Sequence, residues 1–162
     1  MSVEINLSGV VSGSFAKFKP EIDLAIDEFR DLGVNILAPE KGWLIRPVFR
    51  QYNVKNFKYF RPLPLEIGKT LKGVEDDYLT ALSKSNFVYV VNPEGFIGNS
   101  VSLEIGFALG KNIPIYSEKP ILSDADVDIE LISLIATIKS ITPKDLIMEL
   151  RDKKNSASSK LI

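Results

Sequence analysis

The run NFVYVV, residues 86–91, constrains this chain more than any other stretch. It is almost wholly apolar, rich in valine and aromatics, and lacks the polar alternation of a half-exposed strand. Such a run is expected as a strand buried on both faces, as in parallel sheets. The next residues agree. A glycine-punctuated loop is followed by a helical stretch from about Ser100 to Gly110 and a further short strand, Ile113–Tyr116. Strand, helix and strand in that order make a right-handed βαβ unit.

The same alternation runs through the chain. Val3–Val11 is β-rich and is broken by Ser12-Gly13-Ser14. Pro20 suits the first turn of a helix, in which Ile22, Ala25, Ile26 and Phe29 recur at helical spacing until Gly33. Val34–Ala38 reads as a second strand closed by Pro39. Glu75–Ser85 is helical, with Tyr78, Leu79 and Leu82 on one side. Asp126–Ala136 reads as a helix, Thr137–Ile141 as a short strand, and Pro143 opens a last helix to about Leu150. The expected fold is α/β: a single three-layer, doubly wound domain over residues 1–150 with a mainly parallel five-stranded sheet, Rossmann- or flavodoxin-like. The polar, serine-rich tail 151–162 is expected to be mobile.

Residues 41–73 differ in kind. Trp43, Phe49, Tyr52, Phe57, Tyr59 and Phe60 are interleaved with Lys41, Arg46, Arg50, Lys55, Lys58, Arg61, Lys69 and Lys72, and Glu66 is the one acid. Two readings stand side by side: a flap that meets phosphates and stacks bases, or a hairpin whose aromatics pack while its charges stay solvated.

Absences narrow the chemistry. With no histidine and no cysteine, a Ser-His-Asp site, a Cys-His site and a histidine-based zinc site are excluded. Proton transfer falls to Asp, Glu, Lys, Tyr or water. A net charge of -1 gives no general reason to bind polymeric nucleic acid or membrane. The start, MSVEINLSGVV, lacks a basic n-region and has too short an apolar run for a signal peptide, and the lack of cysteine fits a reducing, cytoplasmic location, which is expected.

Ligands of such sheets bind beyond the carboxyl ends of the strands. Three segments meet there: Ser12–Phe15, the residues before the Tyr78 helix, and Asn92–Ser100. On the helix that follows, 100° per residue puts Val101, Ile105, Ala108 and Leu109 on the core-facing arc. Glu104 falls inside that arc. Acids near a helix start complement its dipole, but that predicts an exposed side chain, and a buried one needs either a cation, for which Lys111 or a flap residue would serve, or a specific task. Gly95, Gly98 and Asn99 permit tight positive-φ backbone beside a ligand, and Asn99 or Ser100 can cap the helix.

The segment VYVVNPEGFIGNSVSLEIGFALGKNIPIY, preceded by DDYLTALSKSN and by SGVVSGSF, resembles the nucleoside 2-deoxyribosyltransferase family, including the related deoxynucleoside 5'-monophosphate N-glycosidases. The resemblance spans most of Ile5–Tyr116. It implies that Glu104 is a nucleophile that takes the deoxyribosyl group from a nucleoside and passes it to another nucleobase, with no metal and no cofactor. It also implies an acid near the start of the preceding helix that protonates the departing base, Asp77, or Asp76 one register away, although Glu75-Asp76-Asp77 alone reads as a helix N-terminal acid cluster. Ser12, Gly13, Ser14 and Phe15 would line the base or sugar side, Asn92 and Gly98 would lie at the substrate, and Asn99 or Ser100 would take the sugar contact. The family's Asp about six residues before the nucleophile is Gly98 here, which leaves nucleoside against nucleotide open. Relatives are oligomers with shared sites, so a homodimer or larger homo-oligomer acting in nucleoside salvage is implied. The alternatives are the monophosphate hydrolase and a non-catalytic nucleotide-binding module.

Overall fold

Parallel pairing around one central strand organises the molecule. The computed structural model describes residues 6–40, 44–47, 58–61, 70–122 and 133–158. Strands β1 (Leu7–Gly13), β2 (Val34–Ala38), β5 (Phe87–Val91), β6 (Ile115–Ser117) and β7 (Lys139–Ser140) form a five-stranded sheet in the order β2-β1-β5-β6-β7. Every pairing in it is parallel. Between the strands lie helices α1 (Phe15–Asp31), α2 (Leu71–Ser83) and α3 (Asn99–Gly110), and α4 (Pro143–Ser158) closes the chain. This is the doubly wound α/β fold that the alternation predicts, with the flavodoxin-like strand order.

The two faces of the sheet carry separate cores because side chains alternate along each strand. Leu7, Val11, Phe87, Tyr89 and Val91 pack with Ile22, Ile26 and Phe29 of α1 and with Leu146 and Ile147 of α4. Val10, Val88, Val90 and Ile115 pack with Leu82 of α2 and with Val101, Ile105 and Ala108 of α3. All five residues of β5 are buried, as expected for a central strand covered on both sides. Among the described residues, no helix is long and apolar enough to cross a membrane.

Several boundaries move. β1 does not stop at Val11, because Ser12 and Gly13 pair with Val90 and Val91 of β5. The ladder uses backbone groups, so a polar side chain at the strand end does not interrupt it. Helix α1 begins before Pro20 but is kinked at Phe18 (φ -123°, ψ 31°), where a proline two residues on limits continuous helical bonding. Helix α2 starts at Leu71 rather than Glu75, because Thr70 accepts a hydrogen bond from the Gly73 amide at 3.0 Å. Helix α4 continues to Ser158 rather than ending near Leu150. There the Arg151 guanidinium donates to the Leu32 carbonyl at 2.6 Å, tying the polar segment to the end of α1.

Within 41–73, β3 (Leu44–Pro47) and β4 (Lys58–Arg61) pair antiparallel as a hairpin. Apart from Lys72, the basic and aromatic side chains of the flap lie outside the described residues, as do most of the helix expected at 126–136 and residues 159–162.

Candidate functional site

The site begins at the carboxyl end of β1. Ser12 lies two residues beyond Val10 and so points to the same face, toward α2 and α3. It is fully buried and donates its hydroxyl proton to Glu104 Oε2. Glu104 is only 8% exposed, on the inner arc of α3 with Val101, Ile105 and Ala108. The position between β1 and β5 is where the strand order reverses direction, the crevice in which open α/β sheets hold ligands.

Helix α2 supplies the second contact. The Tyr78 hydroxyl lies 3.2 Å from Glu104 Oε2 and 3.1 Å from the Val11 carbonyl oxygen. Among the described residues no cation pairs with Glu104. Lys111, one of the partners that the sequence offered, stands 5.8 Å from the Phe107 ring centroid instead, and the other, a flap residue, lies outside the described residues. Burial pushes the Glu104 carboxyl from its ordinary 4.5 up to about 7. The Ser12 and Tyr78 hydrogen bonds pull it down and the Glu75 charge adds to the rise. Burial, followed by the nearby Glu104 charge, pushes the Tyr78 phenol well above its usual range, so it keeps its proton.

In front of Glu104 opens a cavity of about 250 Å³. Gly13, Ser14 and Phe15 line one side and Gly98, Asn99 and Ser100 another, as the sequence places them. Val74, Glu75 and Tyr78 of α2 and Pro39 complete it. Burial raises the Glu75 carboxyl above its ordinary value. Neither α1, with Ser14 as its N-cap, nor α3, with Gly98, has a side-chain cap, so Asn99 and Ser100 do not fill the capping role expected of them.

Other expected site residues stand elsewhere. Asp77 is exposed and does not line the cavity, and Asp76 forms a 2.5 Å ion pair with Lys72. On α2, Val74, Glu75 and Tyr78 fall within an arc of about 100°, and Asp76 and Asp77 project away from it. Asn92 is fully buried but faces the chain. Its Oδ1 accepts from the Lys119 amide and its Nδ2 donates to the Lys119 carbonyl, each at 3.0 Å. Of the loop glycines, Gly95 (φ 76°) has positive φ, and a Cβ there would lie 2.6 Å from Leu122. That glycine serves the packing of the 120–122 segment rather than a ligand. Gly98 (φ -88°) and helical Asn99 have ordinary backbones.

Glu75 and Tyr78 were not assigned to the site from sequence. The available signal was a phenol on the apolar side of α2 with an acid three residues before it, spacing that puts both on one face. Among the described residues, no cluster of three or more metal-ligating side chains is present.

No protein-family model matches the chain, and no curated protein matches it. Among solved structures, it is similar to a conserved protein from Enterococcus faecalis V583, with a TM-score of 0.57 at 13% identity. The likeness covers 92% of this chain and 99% of that one. It establishes the fold.

Proposed function

We propose that the cavity binds a 2'-deoxynucleoside and that Glu104 is the nucleophile that cleaves its N-glycosidic bond. One observation carries this reading: a carboxylate that meets no cation among the described residues, buried at the sheet's switch point, anchored by two hydroxyls and facing an open cavity. A carboxylate in that setting stabilises positive charge at an anomeric carbon strongly, because little water screens it. Its oxygen attacks the sugar as the bond to the base breaks, and the base leaves with the electron pair and a proton. Glu75, in the same cavity and with a raised pKa, supplies that proton in place of Asp77. An incoming nucleobase displaces the glutamyl ester and returns the proton, so the sugar keeps its configuration after two inversions. Water in place of the base gives hydrolysis.

The charge of the cavity bears on the substrate. Among the described residues lining it, two are carboxylates and none is Lys or Arg, which favours an uncharged nucleoside over a phosphorylated one. The N-termini of α1 and α3 at the same cavity favour the 5'-monophosphate alternative, since such ends attract anions.

Chromatography after incubation with deoxyadenosine and free cytosine tests the proposal. New deoxycytidine shows transfer, adenine alone shows hydrolysis, and saturable binding without change shows a non-catalytic module. Deoxyadenosine monophosphate in the same assay settles the phosphate question. Glu104→Ala is expected to abolish turnover with the fold retained, and full activity in that variant would end the assignment.

A further inference from the structure

Tyr78 has one phenolic proton and two acceptors at nearly equal distance, the Val11 carbonyl oxygen at 3.1 Å and Glu104 Oε2 at 3.2 Å. Only one can receive that proton at a time. Ser12 donates to the same carboxylate oxygen, so both hydroxyls converge on Oε2. Among the described residues, no hydrogen bond reaches Oε1. Among the described residues the two oxygens of one carboxylate are therefore inequivalent, Oε2 held by two hydroxyls and Oε1 by none.

We propose that Tyr78 is the positioning residue of this site, its proton alternating between Glu104 and the Val11 carbonyl, so that Oε2 is the anchored oxygen and Oε1 the attacking one. This rests on the reading of Glu104 as nucleophile. With Glu104 ionised, the phenol donates to Oε2 and holds the charge. As Oε1 forms its bond to the sugar carbon and the base departs, Oε2 becomes an uncharged ester oxygen and a weaker acceptor. The O–H then turns to Val11, and it turns back when the ester is broken. No proton leaves Tyr78 at any stage, in keeping with a buried phenol that resists ionisation. The groups facing Glu104 from the packed elements are the Ser12 hydroxyl of β1 and Tyr78 and Glu75 of α2, and α3 itself brings no second charge.

The test is a direct titration of the Glu104 carboxyl in the full chain, by carbon-13 NMR of labelled glutamate with Glu104→Gln to assign the signal. Removing a donor that favours the charged form raises the midpoint, so Tyr78→Phe is expected to move it upward by about 1 pH unit. If Tyr78→Phe does not fold, 3-fluorotyrosine at position 78, a stronger donor, is expected to move the midpoint down. In active enzyme the acid limb of kcat/KM moves with the midpoint, and raising the pH restores part of kcat in Tyr78→Phe, which a purely structural loss would not allow. A midpoint unmoved or lowered in Tyr78→Phe, or unmoved with fluorotyrosine, overturns the proposal. The titration needs no substrate. A shifted midpoint in a protein that cleaves no nucleoside therefore upholds the anchoring contact and sinks the glycosidic reading, whereas cleavage with an unmoved midpoint does the reverse.

Discussion

Glu104→Gln is expected to stabilise the protein at alkaline pH and to leave it nearly unchanged in acid. The folded protein holds the Glu104 proton up to about pH 7, whereas the unfolded chain releases it near the ordinary value of 4.5. Between those values the folded state binds more protons, so stability falls as pH rises through the window and the full loss is present above it. The gap corresponds to about 3 kcal/mol, an upper figure for a side chain with little solvent to screen it. Glutamine has the same shape and no charge to desolvate. Its oxygen can accept from Ser12, and Tyr78 can then donate to Val11, so neither hydroxyl is stranded. Urea unfolding of wild type and variant at pH 4.5, 6 and 8 measures the difference directly, and titrations common to both cancel. The variant should lead by about 2–3 kcal/mol at pH 8, with the gap closing toward pH 4.5. A gap independent of pH, or a wild type that gains on the variant as pH rises, would refute the origin of the raised pKa in burial. The same substitution should remove turnover, so the acid lowers stability where function requires its charge.

Three further outcomes follow from placement. Glu75→Gln is expected to slow glycosidic turnover by about 10²-fold or more, the range of general acid catalysis, while Asp77→Asn leaves it essentially unchanged; the opposite ranking in steady-state assays would return the proton donor to Asp77. Gly9→Ala should destabilise by about 1–3 kcal/mol in thermal or urea unfolding, because its Cβ would stand 2.5 Å from the buried Phe87 ring. Gly106→Ala, on the open side of α3, should stabilise by about 0.5–1 kcal/mol.

The order of strands and helices was legible because apolar periodicity is a local property. NFVYVV became the central strand, and Pro143 the start of the last helix. Glu104 was legible for the same reason, since a charge inside an apolar arc is visible from spacing alone. What spacing could not show is what that charge touches. Ser12 lies 92 residues away in the chain and Tyr78 lies 26 away. Their approach depends on β1 pairing beside β5 and on how far α2 is rotated about its axis. That rotation also brings Glu75 rather than Asp77 to the cavity, and the register of β1 turns Ser12 inward. Asn92, polar and at a strand end, carries the signature of a ligand contact but bonds to Lys119, a choice made by the fold of the 117–122 segment. Sequence alone determined the layers and the misplaced acid, because each depends on neighbours a few residues away. Tertiary structure decided the acid's partners and its proton affinity, because both arise where separate elements meet and exclude water.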